Sequence, residues 1–147
     1  MPFIADLHIH SHFSRATSRD CNLPGLARWA QLKGVQVIGT GDCTHPAWFA
    51  ELSDQLEPMD TGLYQLRPEA ATAAAAEVPP SCRADVAFMV TGEISSIYKR
   101  AGRVRKVHSI VVLPDLATAA ALNRKLDAIG NIRSDGRPIL GLDPRDL

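Results

Sequence analysis

Phe3-Ile4-Ala5-Asp6-Leu7-His8-Ile9-His10 alternates strictly between two kinds of side chain. Successive side chains of an extended strand point to opposite faces, so Phe3, Ala5, Leu7 and Ile9 share one side and Ile4, Asp6, His8 and His10 the other. The stretch therefore reads as a strand with one apolar and one polar face. His8 and His10, two residues apart, face the same way and can reach one point in space. Neutral imidazole is a good ligand for zinc, manganese, iron or nickel. Asp6, on the same side, is placed to orient an imidazole from behind. The lesser alternative for the pair is a solvent-facing strand edge.

Outward from this strand the chain alternates strand and helix signals. Asn22 is a capping residue for a helix with Leu26, Trp29, Ala30 and Lys33 along one side, ended by Gly34. Val35 to Gly39 is a short apolar strand that breaks into Gly41-Asp42. A second helix starts near Pro46, with Phe49, Leu52 and Leu56 inward. Ala87 to Val90 leads into Thr91-Gly92-Glu93, and Ile94 to Val107 forms a hairpin around Ala101-Gly102. His108 opens the apolar run to Leu113. Asp115 caps a helix carrying Leu122, Leu126 and Ile129, closed by Gly130, and Pro138 to Gly141 is a further strand. Residues 57–86 are less regular. Within them Pro68-Glu69 and the alanine-rich run at 70–76 read as a short helix stopped by Pro79-Pro80. Alanine buries too little surface to anchor a core helix, so a surface insertion or irregular segment is expected over 57–86. Repetition of this kind predicts a single α/β domain over 1–147 with a mostly parallel sheet. A chain of 147 residues is short for a full eight-unit barrel. Asp143-Pro144 is a good helix start with only three residues after it, so truncation at the carboxyl end is expected.

Composition restricts the function classes. Lys plus Arg and Asp plus Glu number 16 each, so whole-chain charge points to neither nucleic acid nor membrane. The start has no signal-peptide pattern and no run approaches a spanning helix, which predicts a cytoplasmic protein with no membrane partner. Cys21, Cys43 and Cys82 are odd in number, lack CxxC spacing and read as free thiols.

Asp42 and Glu93 each follow an apolar strand. Singly, each is as readily an ordinary turn carboxylate, and His45 as readily a helix cap. Together with His8 and His10, however, they fall at the carboxyl ends of predicted strands, the rim on which α/β folds build their sites. Mixed nitrogen and oxygen ligands there fit a hydrolytic centre of two or three divalent metals acting on a phosphoryl group. Lys99, Arg100, Arg103, Arg105 and Lys106 put five positive charges into eight residues. This is either a solvated hairpin face or, beside a metal site, a contact for a nucleic-acid backbone.

The passages DLHIHSHFSRATS (6–18), GTGD (39–42), TGEIS (91–95), HSIVVLPD (108–115) and IGNIRSDGRPILGLDPRDL (129–147) resemble the polymerase-and-histidinol-phosphatase (PHP) superfamily, and within it the endonuclease Q-type proteins. That resemblance implies a distorted, TIM-like, seven-stranded β/α barrel, of which this chain is the amino-terminal part. It implies two or three zinc, manganese or magnesium ions at the carboxyl rim, with His8, His10, Asp42, Glu93 and His108 as ligands. It also implies a DNA-repair hydrolase that nicks DNA at deaminated bases, so that DNA is the expected partner. A phosphatase for a small phosphomonoester and an inactive fragment or binding module are the alternatives. Two departures stand out: Arg15 and Ala16 occupy a region where many members of the superfamily carry a ligand, and no histidine follows His108.

Overall fold

The structure, a computed structural model, describes residues 2–147. Strand β1 (Ala5–Asp6) leads through an extended segment to helix α1 (Leu23–Lys33), then strand β2 (Val37–Gly39) and helix α2 (Pro46–Gln55). Strands β3 (Leu56–Pro58) and β4 (Tyr64–Leu66) and helix α3 (Pro68–Ala76) follow. The long strands β5 (Ala87–Arg100) and β6 (Arg103–Leu113), helix α4 (Leu116–Ile129) and strand β7 (Ile139–Leu140) complete the fold, with 3-10 turns at Pro80–Cys82 and Pro144–Asp146.

The seven strands form one sheet in the order β1-β2-β5-β4-β3, with β6 pairing β5 from Val90 to Arg100 and β7 pairing it at Ser95 and Ser96. Strands β1, β2, β5 and β7 are mutually parallel, whereas β3, β4 and β6 run antiparallel to their neighbours. The expectation of a mostly parallel sheet is therefore corrected. Short connections set the direction: a two-residue turn or a five-residue loop reverses the chain, and only a longer crossover can return it parallel. The barrel is not closed. Among the described residues β1 pairs only with β2 and β3 only with β4.

Helix α1 begins where expected, with the Asn22 side chain accepting from the Gly25 amide at 2.9 Å, and it ends at Gly34 with φ 71°. Its buried stripe is Leu23, Leu26, Ala27, Ala30 and Gln31. Trp29 lies outside that stripe and is about half exposed, with the Arg28 guanidinium over its ring. In α2 the larger anchor is Trp48, fully buried beside Leu52. Asp115 caps α4 by accepting from the Thr118 amide, while Ile129 at its far end stays exposed. Within residues 57–86 the alanine-rich run forms helix α3, starting at Pro68 as expected. Tyr64 and Leu66 enter the core, α3 packs on α1, and Ala74 is buried between them.

Two cores result. The larger joins Leu23, Leu26, Trp48, Leu52, Leu56, Phe88 and Val90 beneath α1 to α3. The smaller joins Ile94, Leu126, Ile132 and Leu140 beneath α4. Phe88, Val90 and Ile94 have the same parity along β5, so the helices cover one face of the sheet. On the other face Val104, Ile110 and Val112 of β6 remain exposed. Among the described residues no helix is long and apolar enough to cross a membrane.

Candidate metal centre

Beyond Asp6 the chain carries His8 and His10 across the carboxyl rim of the sheet toward Glu93, which lies midway along β5. His8 Nε2 and His10 Nε2 each stand 3.1 Å from Glu93 Oε2. His108, opposite Ser95 in the β5–β6 ladder, places Nδ1 2.6 Å from the other oxygen, Oε1. One atom from each of His8, His10 and Glu93 lies within 4.8 Å of the others, a spacing able to hold a metal ion. The Glu93 side chain is 3% exposed, whereas that of His8 is 58% exposed and that of His108 is 49%. The site is thus a buried carboxylate under an open mouth.

Asp42 stands behind these three. Its Oδ1 is 2.9 Å from His10 Nδ1, while Oδ2 accepts from the Ser11 amide (2.7 Å), the Ser11 hydroxyl (2.7 Å) and the Ser14 hydroxyl (2.9 Å). The turn that presents it is sharply bent: Gly41 and Asp42 both have positive φ, 60° and 47°. A Cβ at position 41 would lie 2.4 Å from the Ile9 carbonyl oxygen, so glycine is required by contact as well as by conformation. The Trp48 indole donates to the Thr40 and Gly41 carbonyls (3.2 and 2.9 Å). Thr91 ties the same turn to β5, accepting from the Gly41 amide through Oγ1 and from the Cys43 amide through its carbonyl.

Charge follows this geometry. The hydrogen bond that His10 donates to Asp42 raises the His10 pKa above its usual 6.5, against the opposing effect of burial. Burial pushes the Asp42 carboxyl up, but His10, Ser11 and Ser14 together outweigh it and hold it below its usual value. Glu93 is likewise held low, with burial opposed by His8, Arg137, His108 and His10. The donor set suits a divalent cation. With the Nδ1 proton of His10 given to Asp42, its Nε2 lone pair faces a carboxylate oxygen at 3.1 Å, and only a second proton or a metal cation between them removes the repulsion.

Of the residues expected from the sequence, His8, His10 and Glu93 converge, His108 adjoins Glu93, and Asp42 supports His10. His45 caps α2 and contacts the Arg133 carbonyl at 3.0 Å, away from the cluster. The basic residues lie on the β5–β6 hairpin, whose turn at Ala101 and Gly102 has φ of 50° and 72°. The ladder divides them: Lys99 and Lys106 share a face with Glu93 and His108, while Arg100, Arg103 and Arg105 occupy the other. Ser11, Ser14 and Arg137 also belong to the site. Arg137 Nη1 is 3.6 Å from Glu93 Oε2. A cleft of about 770 Å³ lies at the amino-terminal end of β5 between α1, α3 and Ala87, and contains none of these residues.

No protein-family model matches the chain. An uncharacterized protein of Methanocaldococcus jannaschii is 53% identical over 47 residues, 32% of this chain and 6% of that protein. The crystal structure of the lesion-specific endonuclease PfuEndoQ from Pyrococcus furiosus matches 97% of this chain at 32% identity, with a TM-score of 0.73. An endonuclease Q bound to a 27-mer duplex substrate with an abasic lesion at its active site matches 94% of this chain at 33% identity, with a TM-score of 0.70. The chain spans 30% and 29% of those two proteins. In fold and in sequence together, the chain is close to the endonuclease Q family.

Proposed function

We propose that this chain forms the metal-binding part of a phosphodiesterase of the PHP superfamily that nicks DNA at deaminated bases. The observation that carries the reading is the convergence of His8, His10 and Glu93 in a chain that matches endonuclease Q over 97% of its length. His8, His10 and Glu93 Oε2 would hold one divalent ion, zinc, manganese or magnesium. Glu93 Oε1 and His108 would hold a second. Such ions, when bound, supply an activated water and stabilise charge on a phosphoryl group. Asp42 keeps His10 in the tautomer that offers Nε2, and Ser11 and Ser14 fix Asp42. Lys99, Arg100, Arg103, Arg105 and Lys106 would contact the DNA backbone. The openness of the site at His8 and His108 favours a polymer over a small phosphomonoester enclosed by its pocket.

The test has two stages. Titration with Mn2+ is expected to give saturable binding that His8→Ala and Glu93→Gln each abolish. Incubation with a duplex containing one deoxyuridine is then expected to give Mn2+-dependent nicking or lesion-selective binding. A chain that binds Mn2+ but hydrolyses simple phosphomonoesters, with no response to charge reversal at Arg103 and Arg105, would replace this reading with that of a phosphatase.

A further inference from the structure

Arg137 enters the site from a loop far along the chain from every other residue there except His108. Its guanidinium approaches the same Glu93 oxygen that faces His8 and His10. The loop that delivers it is fixed on both sides. Asp135 pairs with Arg15 and accepts from the Arg137 amide, the Gly136 amide donates to the Phe13 carbonyl, and the Pro138 carbonyl accepts from the Ser95 amide. Gly136 lies so close to the Asp42 carboxylate that a Cβ there would be 2.2 Å from Oδ2. The loop therefore passes directly against the carboxylate that orients His10 and brings the guanidinium to the mouth of the site.

We propose that Arg137 grips the substrate phosphate at the metal centre. The inference rests on the metal-dependent phosphodiesterase reading given above. The contact of Arg137 with Glu93 does not exhaust the guanidinium. At 3.6 Å the contact is longer than a hydrogen bond, and it leaves most of the planar five-donor fork free. The side chain is 40% exposed, open to a ligand arriving from solvent. A divalent ion held by Glu93 would repel a guanidinium this close, and an anion shared between them removes that repulsion. A phosphate oxygen is such an anion, and the arginine fork matches phosphate geometry.

The experiment compares the unsubstituted chain with Arg137→Gln and Arg137→Lys. Mn2+ binding is measured first without DNA. Next, binding in Mn2+ is measured for a nicked duplex that carries or lacks the phosphate at the nick. The unsubstituted chain is expected to prefer the phosphate-bearing duplex, R137Q to lose that preference by roughly ten- to a hundredfold, and R137K to retain part of it. Mn2+ affinity should be unchanged or tighter in R137Q, since a repelling charge is gone. A preference that survives in R137Q, or Mn2+ binding that weakens there, would overturn the assignment while leaving the metal-phosphodiesterase reading intact. Failure of the unsubstituted chain to bind Mn2+ would overturn both.

Discussion

Asp42 is fully buried and accepts from two serines and a backbone amide while pairing with His10. Replacing it by asparagine turns part of this acceptor into a donor facing donors and leaves His10 without its anchor. Asp42→Asn is expected to lower stability by about 3 kcal/mol or more in urea unfolding, and to weaken Mn2+ affinity by roughly ten- to a hundredfold. The same pair sets a pH window for the metal-free protein. The folded pKa of His10 is raised, so its contribution is complete below 6.5 and is lost as pH rises through the raised value. The folded pKa of Asp42 is lowered, so its contribution is complete above 3.8 and is lost as pH falls through the lowered value. Thermal unfolding without metal should therefore give a plateau between roughly pH 4 and 6.5, falling on both sides, and Asp42→Asn should flatten it. At this scale the sequence was only partly legible. Period-two alternation put His8 and His10 on one face, but it cannot say which carboxylate meets both imidazoles and which stands behind. Ser11 and Ser14 have no spacing that marks them, and Arg137 is one of 16 basic residues. The three belong together only because the fold brings distant turns into contact.

The β5–β6 hairpin was readable from Ala101-Gly102 and the flanking alternation, and its two faces follow from the register of the ladder. A two-stranded ribbon basic on both faces is suited to lie in a nucleic-acid groove, touching backbone on either side. Converting Arg100, Arg103 and Arg105 together to glutamine is expected to reduce the slope of log affinity against log salt by about 2.7. Lys99→Gln with Lys106→Gln should reduce it by about 1.8 and, on the endonuclease reading proposed above, should slow nicking further because those lysines share a face with Glu93 and His108. Fluorescence anisotropy over a salt series checks both. Helix caps were equally legible, since Asn22, Asp115 and the Pro46 start act through local geometry. Helix faces were less so. Trp29 and Trp48 are both aromatic residues at plausible helical positions, and only the packing of α2 against the turn at Thr40 and Gly41 decides that Trp48 is the buried one.

For the whole molecule, strand–helix repetition gave the α/β class, but strand direction depended on connection lengths and closure on which edges find partners. The sheet is covered by helices on one side and leaves Val104, Ile110 and Val112 of β6 exposed on the other. Exposed apolar strands at an edge invite pairing with another chain. Val112→Lys, at a position half exposed and opposite Thr91, is expected to reduce self-association in light scattering and to change unfolding stability by no more than about 0.5 kcal/mol. Equal self-association in the variant would remove this edge as its cause.

Strand β1 is held in the sheet by only two residue pairs, Ala5 with Val37 and Asp6 with Ile38, yet it delivers both histidines. His8 meets Glu93 across 85 positions of chain, from a weakly fastened edge to the longest strand. An ion shared by His8, His10 and Glu93 would act there as a rivet as well as a reagent, fixing the fraying amino-terminal edge to the centre of the sheet. Chelation should then first free the amide protons around Ile4 to Leu7 for solvent exchange, while the core beneath α1 and α2 stays closed.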